Sequence, residues 1–218
     1  MKTAFFIDFD GTISKRDIGY TMFHHFSNGK NDELIPDWKA GKISSRECLT
    51  KEAEMISPTS EEFYSYLDSF EIDHTFKKFV SVVRKNEMDI KIVSDGLDIY
   101  INYLLSKNRI DSIPVISNIG KLENKRLTIK FPMDNKECDY CGNCKGERIK
   151  EFRAKHDEKY RIIFIGDGYS DACATKEADL LFAKKDLEHY CIDNKIEYQK
   201  YNNFNDVLNN LISKNILK

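Results

Sequence analysis

Apolar residues occur along this chain in two rhythms. Short, nearly unbroken runs form the first: Ala4-Phe5-Phe6-Ile7 stops at Asp8, Ile90-Lys91-Ile92-Val93 at Ser94, and Ile162-Ile163-Phe164-Ile165 at Gly166. Pro114-Val115-Ile116-Ser117 and Leu180-Leu181-Phe182-Ala183 are of the same kind. Runs this short and this apolar predict strands covered on both faces. Between them the spacing turns helical. Phe76, Phe79, Val80 and Val83 form one stripe, and residues 98–107, 147–155, 171–178 and 204–217 read as further helices. Leu122, Leu127, Ile129 and Phe131 around Asn124-Lys125 predict a β-hairpin within residues 119–132. Strands alternating with helices predict an α/β fold with a doubly wound, parallel sheet.

Residues 14–75 depart from that alternation. Ile18, Met22, Phe23 and Phe26 have helical spacing, while Gly29-Lys30-Asn31 and Trp38-Lys39-Ala40-Gly41 read as breaks. Ser57-Pro58-Thr59-Ser60 reads as a helix start before a face of Phe63, Tyr66, Leu67 and Phe70. No strand is predicted there. The expected organisation is a core of residues 1–13 and 76–218, with a helical insertion, 14–75, after the first strand.

The strand ends carry the chemistry. Asp8 and Asp10 flank Phe9 and precede Gly11-Thr12. Side chains two apart on an extended segment point the same way, so both carboxylates can converge just past the first strand. Open α/β sheets bind their ligands at that edge. Two like charges so close call for a cation or a shared proton, and a hard divalent ion such as Mg²⁺ would take their oxygens. Ser94, followed by Asp95-Gly96, offers a hydroxyl and, at a helix start, backbone N–H groups suited to a phosphate dianion. Gly166-Asp167-Gly168-Tyr169-Ser170-Asp171 places two carboxylates four residues apart, a spacing that faces one site from the start of a helix.

Asp8-Phe9-Asp10-Gly11-Thr12, Ser94, Lys145 and Gly166 to Asp171, taken in that order, resemble the four motifs of the haloacid dehalogenase superfamily. That resemblance implies a phosphatase with a Rossmann-like core and a helical cap at residues 14–75. It implies Asp8 as nucleophile and Asp10 as acid/base, with Gly11, Thr12, Ser94, Asp95 and Lys145 around the phosphate. It also implies Mg²⁺ held by Asp8, the Asp10 main-chain carbonyl and Asp167, with Asp171 in support. Asp17 stands where phosphoserine phosphatases carry an acid that contacts the substrate's amine; a plain helix cap is the other reading. His24 and His25 read as packing or surface residues, and Trp38 as a cap–core anchor or a substrate platform. The cysteine-rich run before Lys145 resembles two groups within the superfamily, the methionine-salvage and the phosphoethanolamine/phosphocholine phosphatases.

Composition narrows the alternatives. Lys and Arg number 34 against 36 Asp and Glu, a net charge of −2, so no basic excess points to nucleic acid. The apolar run before Asp8 is too short for a signal peptide, and no run has the length of a membrane span. A cytoplasmic monomer or homodimer acting on a small phosphorylated metabolite is expected, with reduced cysteines. Cys138, Cys141 and Cys144 at x2 spacing suit a metal knuckle, although a structural Zn²⁺ wants a fourth ligand. Cys48, Cys173, Cys191 or a histidine would supply it; simple packing of thiols is the alternative. A metal- or redox-sensing protein built on that run is the competing class of function. A signalling receiver is disfavoured, since it needs neither Asp10 nor the insertion.

Overall fold

Seven strands form one sheet in the order β4-β3-β2-β1-β5-β6-β7. They are β1 (Lys2–Ile7), β2 (Asp89–Leu97), β3 (Val115–Glu123), β4 (Arg126–Lys130), β5 (Tyr160–Gly166), β6 (Leu180–Ala183) and β7 (Gln199–Lys200). This computed structural model describes residues 2–110, 112–156 and 159–218. Every neighbouring pair is parallel except β3–β4, a hairpin at the edge. Ten α-helices accompany the sheet among the described residues. Helices α1 (Ile18–Phe26), α2 (Ile35–Lys39), α3 (Ser45–Glu54) and α4 (Ser60–Leu67) belong to the insertion. Helices α5 (Phe76–Lys85), α6 (Asp98–Lys107), α7 (Lys145–Lys155), α8 (Ala172–Thr175), α9 (Lys185–Asp193) and α10 (Phe204–Ser213) alternate with the strands. The fold is the expected doubly wound α/β sheet with a helical insertion after its first strand.

The period of two along β1 explains why its run is apolar throughout. Phe5 and Ile7 join the cluster that holds Phe79 of α5, Leu104 of α6 and Phe204 of α10. Ala4 and Phe6 face the other way, with Ile149 and Phe152 of α7 and Leu187 of α9. Each fully buried large side chain contributes roughly 1.5–3 kcal/mol of burial energy. In the insertion, α4 begins at a capping box: the Thr59 hydroxyl accepts from Glu62 N, and the Glu62 carboxylate accepts from Thr59 N. The chain leaves and re-enters the core through a narrow neck. Ser14 bridges to Ile72, Asp73 N donates to Ile13 O at 2.7 Å, and Lys15 N donates to Glu71 O at 3.0 Å.

Several sequence expectations need correction. The strand at residues 114–117 and the first arm of the hairpin are one continuous strand, β3. Trp38 and Lys39 close α2 rather than marking a break. Helices α3 and α9 and the short strand β7 are additions. In α9 only Leu187 and Cys191 are buried, and in α3 the buried face is Ser45, Cys48, Glu52 and Ala53. Neither makes an apolar stripe that periodicity can detect.

Candidate active site

Strand β1 lies where the strand order reverses, and its pairing sets the site. Ile7 registers with Ile92 of β2 and with Ile165 of β5, so the residues just past these strands share one edge. Asp8, Ser94 and Asp167 therefore meet at the switch point of the sheet. β1 ends at Ile7, and Asp10 sits in a loop turned by Gly11 at φ +72°. A side chain at Gly11 would also strike the Asp167 carboxylate, so glycine is required on both counts.

Lys145, the first residue of α7, is the buried hub. Its ammonium lies 2.7 Å from Asp8 Oδ1, pairs with Asp171 Oδ1 and donates to Ser170 Oγ at 3.1 Å, which commits all three N–H groups. Burial works against its charge, but Asp171 and Asp8 more than compensate and push its pKa above the ordinary lysine value. Burial and the Asp171 charge push the Asp8 carboxyl up, with Lys145 opposing them. The other oxygen of Asp171 accepts from Asp167 N at 2.9 Å and Gly168 N at 3.0 Å. Thus Asp167 and Asp171 converge through a 3₁₀ turn, Tyr169–Asp171, rather than along one α-helical face as expected.

Asp8, Asp167 and Asp171 each place a carboxylate oxygen within 4.8 Å of the others. This all-oxygen, anionic donor set fits a hard divalent cation. The Thr12 hydroxyl, expected at the phosphate, instead donates to Asp167 Oδ1 at 3.0 Å. Lys185, just past β6, donates to Asp167 Oδ2 at 2.8 Å and to Gly11 O at 3.0 Å.

Asp10 lines the same cleft as Asp8 but has partners of its own. It accepts from Ile18 N at 2.9 Å and from the Tyr100 hydroxyl at 2.6 Å, with Ser94 Oγ 3.5 Å away. Burial, then the charge of Asp17, push its carboxyl up to about 7, against those hydrogen bonds. Ser94 and Asp95 lie on β2, which continues to Leu97, so neither opens a helix as expected. The Asp95 carboxylate accepts from Asn143 N at 2.6 Å and Asn118 Nδ2 at 3.2 Å, fastening the cysteine-rich loop to the sheet edge.

A cleft of about 480 Å³ opens over these groups. Its core side includes Asp8, Asp10 and Ser94; its insertion side includes Ile35, Trp38, Leu49 and Glu52. Asp17 both caps α1, accepting from Tyr20 N at 2.8 Å, and lines the cleft. Trp38 stacks on Tyr140 of the cysteine-rich loop and donates to Ser45 Oγ, so it anchors the insertion while facing the cleft. His24 meets Asp32 and His25 stacks on Tyr66, a packing role for both. Glu52 is buried, which pushes its carboxyl up to about 7 although Asn31 donates to it. The thiols of Cys138, Cys141 and Cys144 gather with Cys173, the sulfurs lying within 4.8 Å of one another; Cys48 lines the cleft and Cys191 packs in the core.

Tyr100, Lys185, Asn143 and Glu52 were not anticipated. Lys185 follows a strand at the same sheet edge, so the strand-end rule applied to β6 would have found it. The others lie on helices or a loop and carry no spacing signal.

Known proteins bear on this geometry. The chain is 29% identical to the 2-hydroxy-3-keto-5-methylthiopentenyl-1-phosphate phosphatase of Bacillus cereus, over 97% of this chain and 96% of that one. It is 27% identical to the same enzyme of Bacillus mycoides, over 95% of each chain. The solved phospho-aspartyl intermediate analogue of phosphoserine phosphatase superposes with a TM-score of 0.72 at 15% identity, covering 95% of this chain and 98% of that one. At that identity the fold alone is shared. The family described as "Putative Phosphatase" matches residues 4–207. The chain belongs to that family and is a phosphatase, with the fold of the solved phosphoserine phosphatase.

Proposed function

We propose that this phosphatase hydrolyses 2-hydroxy-3-keto-5-methylthiopentenyl-1-phosphate or a close analogue through a phospho-aspartate on Asp8. The observation that carries the chemistry is the division of labour between the two carboxylates. Asp8 is held against the Lys145 ammonium, whereas Asp10 is held by Tyr100 with its carboxyl near 7. A carboxyl near 7 can give and take a proton at neutral pH.

In the first step an Asp8 oxygen bonds to phosphorus and the ester P–O bond breaks. The Asp10 carboxylic acid delivers its proton to the departing oxygen. In the second, the Asp10 carboxylate takes a proton from water, which attacks phosphorus and releases phosphate from Asp8. Lys145 and Ser94 offset and orient the phosphoryl oxygens. Asp8, the Asp10 main-chain carbonyl and Asp167 would hold Mg²⁺, which when bound offsets the charge between carboxylates and phosphoryl group.

The substrate assignment is supported by near full-length likeness to phosphatases of that name and by the apolar wall of Ile35, Trp38 and Leu49. Such a wall can pack against a methylthioalkyl chain. Residues 14–75 act in this reading as a cap that excludes water.

Phosphate release by the purified chain with Mg²⁺ tests both parts. The thioether ester should be turned over ahead of phosphoserine, phosphoethanolamine and phosphocholine, and Asp8→Asn or chelator should abolish release. Preference for one of the amine esters would overturn the substrate. Undiminished release by Asp8→Asn would overturn the mechanism.

A further inference from the structure

We propose that Cys138, Cys141, Cys144 and Cys173 bind one Zn²⁺ as a closed tetrathiolate that ties the Lys145 helix to the Asp167–Asp171 turn. The site is structural and stands apart from the reaction. It does not depend on which ester the enzyme hydrolyses.

Four thiols from two distant parts of the chain meet here, with their sulfurs within 4.8 Å of one another. A tetrahedral Zn²⁺ with Zn–S bonds of about 2.3 Å separates its sulfurs by about 3.8 Å, so closure needs side-chain movements on the order of 1 Å or less. All six cysteines of the chain are free thiols. The backbone around the cluster is arranged for sulfur ligands. Cys141 N donates to Cys138 Sγ at 3.4 Å, an N–H···S contact that supports a thiolate. Asn135 clamps the loop from the other side, donating to Cys141 O and accepting from Cys144 N.

The fourth ligand is brought in by a glycine. Gly146 lies in the first turn of α7, and a Cβ there would come within 2.6 Å of the Cys173 carbonyl oxygen. Without a side chain, α7 and α8 approach closely enough for Cys173 to complete the set. Cys144 is the N-cap of the 11-residue α7, whose positive end favours a thiolate. One turn on, Arg148 is buried, and its guanidinium pairs with Glu151 and donates to Asp134 O, fixing the approach of the loop to α7.

Metal identity follows from the donors. Four sulfurs with no position left for water specify a closed structural site, and thiolates select zinc over the hard ions that suit the carboxylates. Binding displaces the thiol protons to solvent. Because Cys144 adjoins Lys145 and Cys173 follows Asp171 by two residues, the ion would brace both ends of the Lys145–Asp171 pair. The same loop carries Tyr140, whose carbonyl accepts from Ser45 N and whose hydroxyl donates to Trp38 O. Zinc would thus fix the insertion as well.

The test is the metal content of the intact chain, purified without chelator from zinc-supplemented cells. About one zinc per chain is expected, released only when the thiols are modified. Co²⁺ bound in its place should show the intense absorption of tetrahedral cobalt thiolate. Cys141→Ser and Cys173→Ser should each bring zinc below about a tenth of an equivalent, while Cys48→Ala keeps it. If the ligand variants fail to fold, the wild-type zinc and cobalt readings still decide. Folded wild type that holds iron or less than about a tenth of an equivalent of zinc, or cobalt without thiolate absorption, would overturn the proposal.

Discussion

Two clusters of potential ligands lie on either side of the first turn of α7, and they differ in every respect that matters to a metal. The carboxylates of Asp8, Asp167 and Asp171 are hard, share their space with Lys145 and Lys185, and belong to a site that opens on the cleft. The thiols of Cys138, Cys141, Cys144 and Cys173 are soft, equal in kind, and leave no position free. An oxygen site open to the cleft suits turnover, because substrate must enter and phosphate must leave. A sulfur site without an opening suits permanence. Damage to the first should cost activity before fold, and damage to the second should cost fold before activity.

The largest expected effect lies in the oxygen cluster. Asp8→Asn should lower kcat on the order of 10³-fold or more, with a thermal midpoint no lower than wild type, since a buried charge is removed. Single-turnover kinetics and a melting curve check the two halves. A collapse in melting temperature would break the comparison. Asp10→Asn should lower kcat by roughly 10²–10⁴-fold, and the residual activity should lose its pH dependence near neutrality.

Lys145→Met sharpens the boundary, because this residue serves chemistry and fold together. It leaves Asp8 and Asp171 facing each other while buried, so urea unfolding should show a loss of roughly 3–5 kcal/mol. A smaller effect is expected at Glu52, far from both clusters in role. Its folded carboxyl is pushed from 4.5 up to about 7, so the folded state binds the extra proton between those values. Stability from this group is full below pH 4.5 and falls as pH rises toward 7. Glu52→Gln should therefore stabilise the protein above pH 7, by at most about 3 kcal/mol, and do little at pH 4. Denaturant titrations at the two pH values check it. Thr59→Ala should cost about 1 kcal/mol through its cap and leave kcat unchanged.

Legibility in the sequence followed the physics of each signal. Strands buried on both faces announce themselves as apolar runs, so the parallel sheet and the strand ends carrying Asp8, Ser94 and Asp167 could be read directly, while the strand order could not. Lys145 is expected because the resemblance calls for a lysine ahead of the helix that leads into the apolar run at residues 161–165, although nothing in its own surroundings along the chain distinguishes it from many other lysines. Tyr100 was invisible, since its contact with Asp10 spans 90 residues and follows no local period. Thr12 is expected beside the phosphate only because the resemblance implies it. Only the register of β1 on β5 shows that its partner is Asp167. The cysteine run was conspicuous, but its fourth member lies on another helix, and sequence spacing could not choose Cys173 over Cys48 or Cys191.

One of the residues at the neck of the insertion also reaches helix α10. Asp73 gives its N–H to Ile13, while its carboxylate receives Thr75 N at 2.8 Å and Phe204 N at 3.3 Å. Helix α10 is thereby fastened to the neck through which the insertion joins the core. Loosening α10 should therefore loosen the seat of the insertion over the cleft as well as the core.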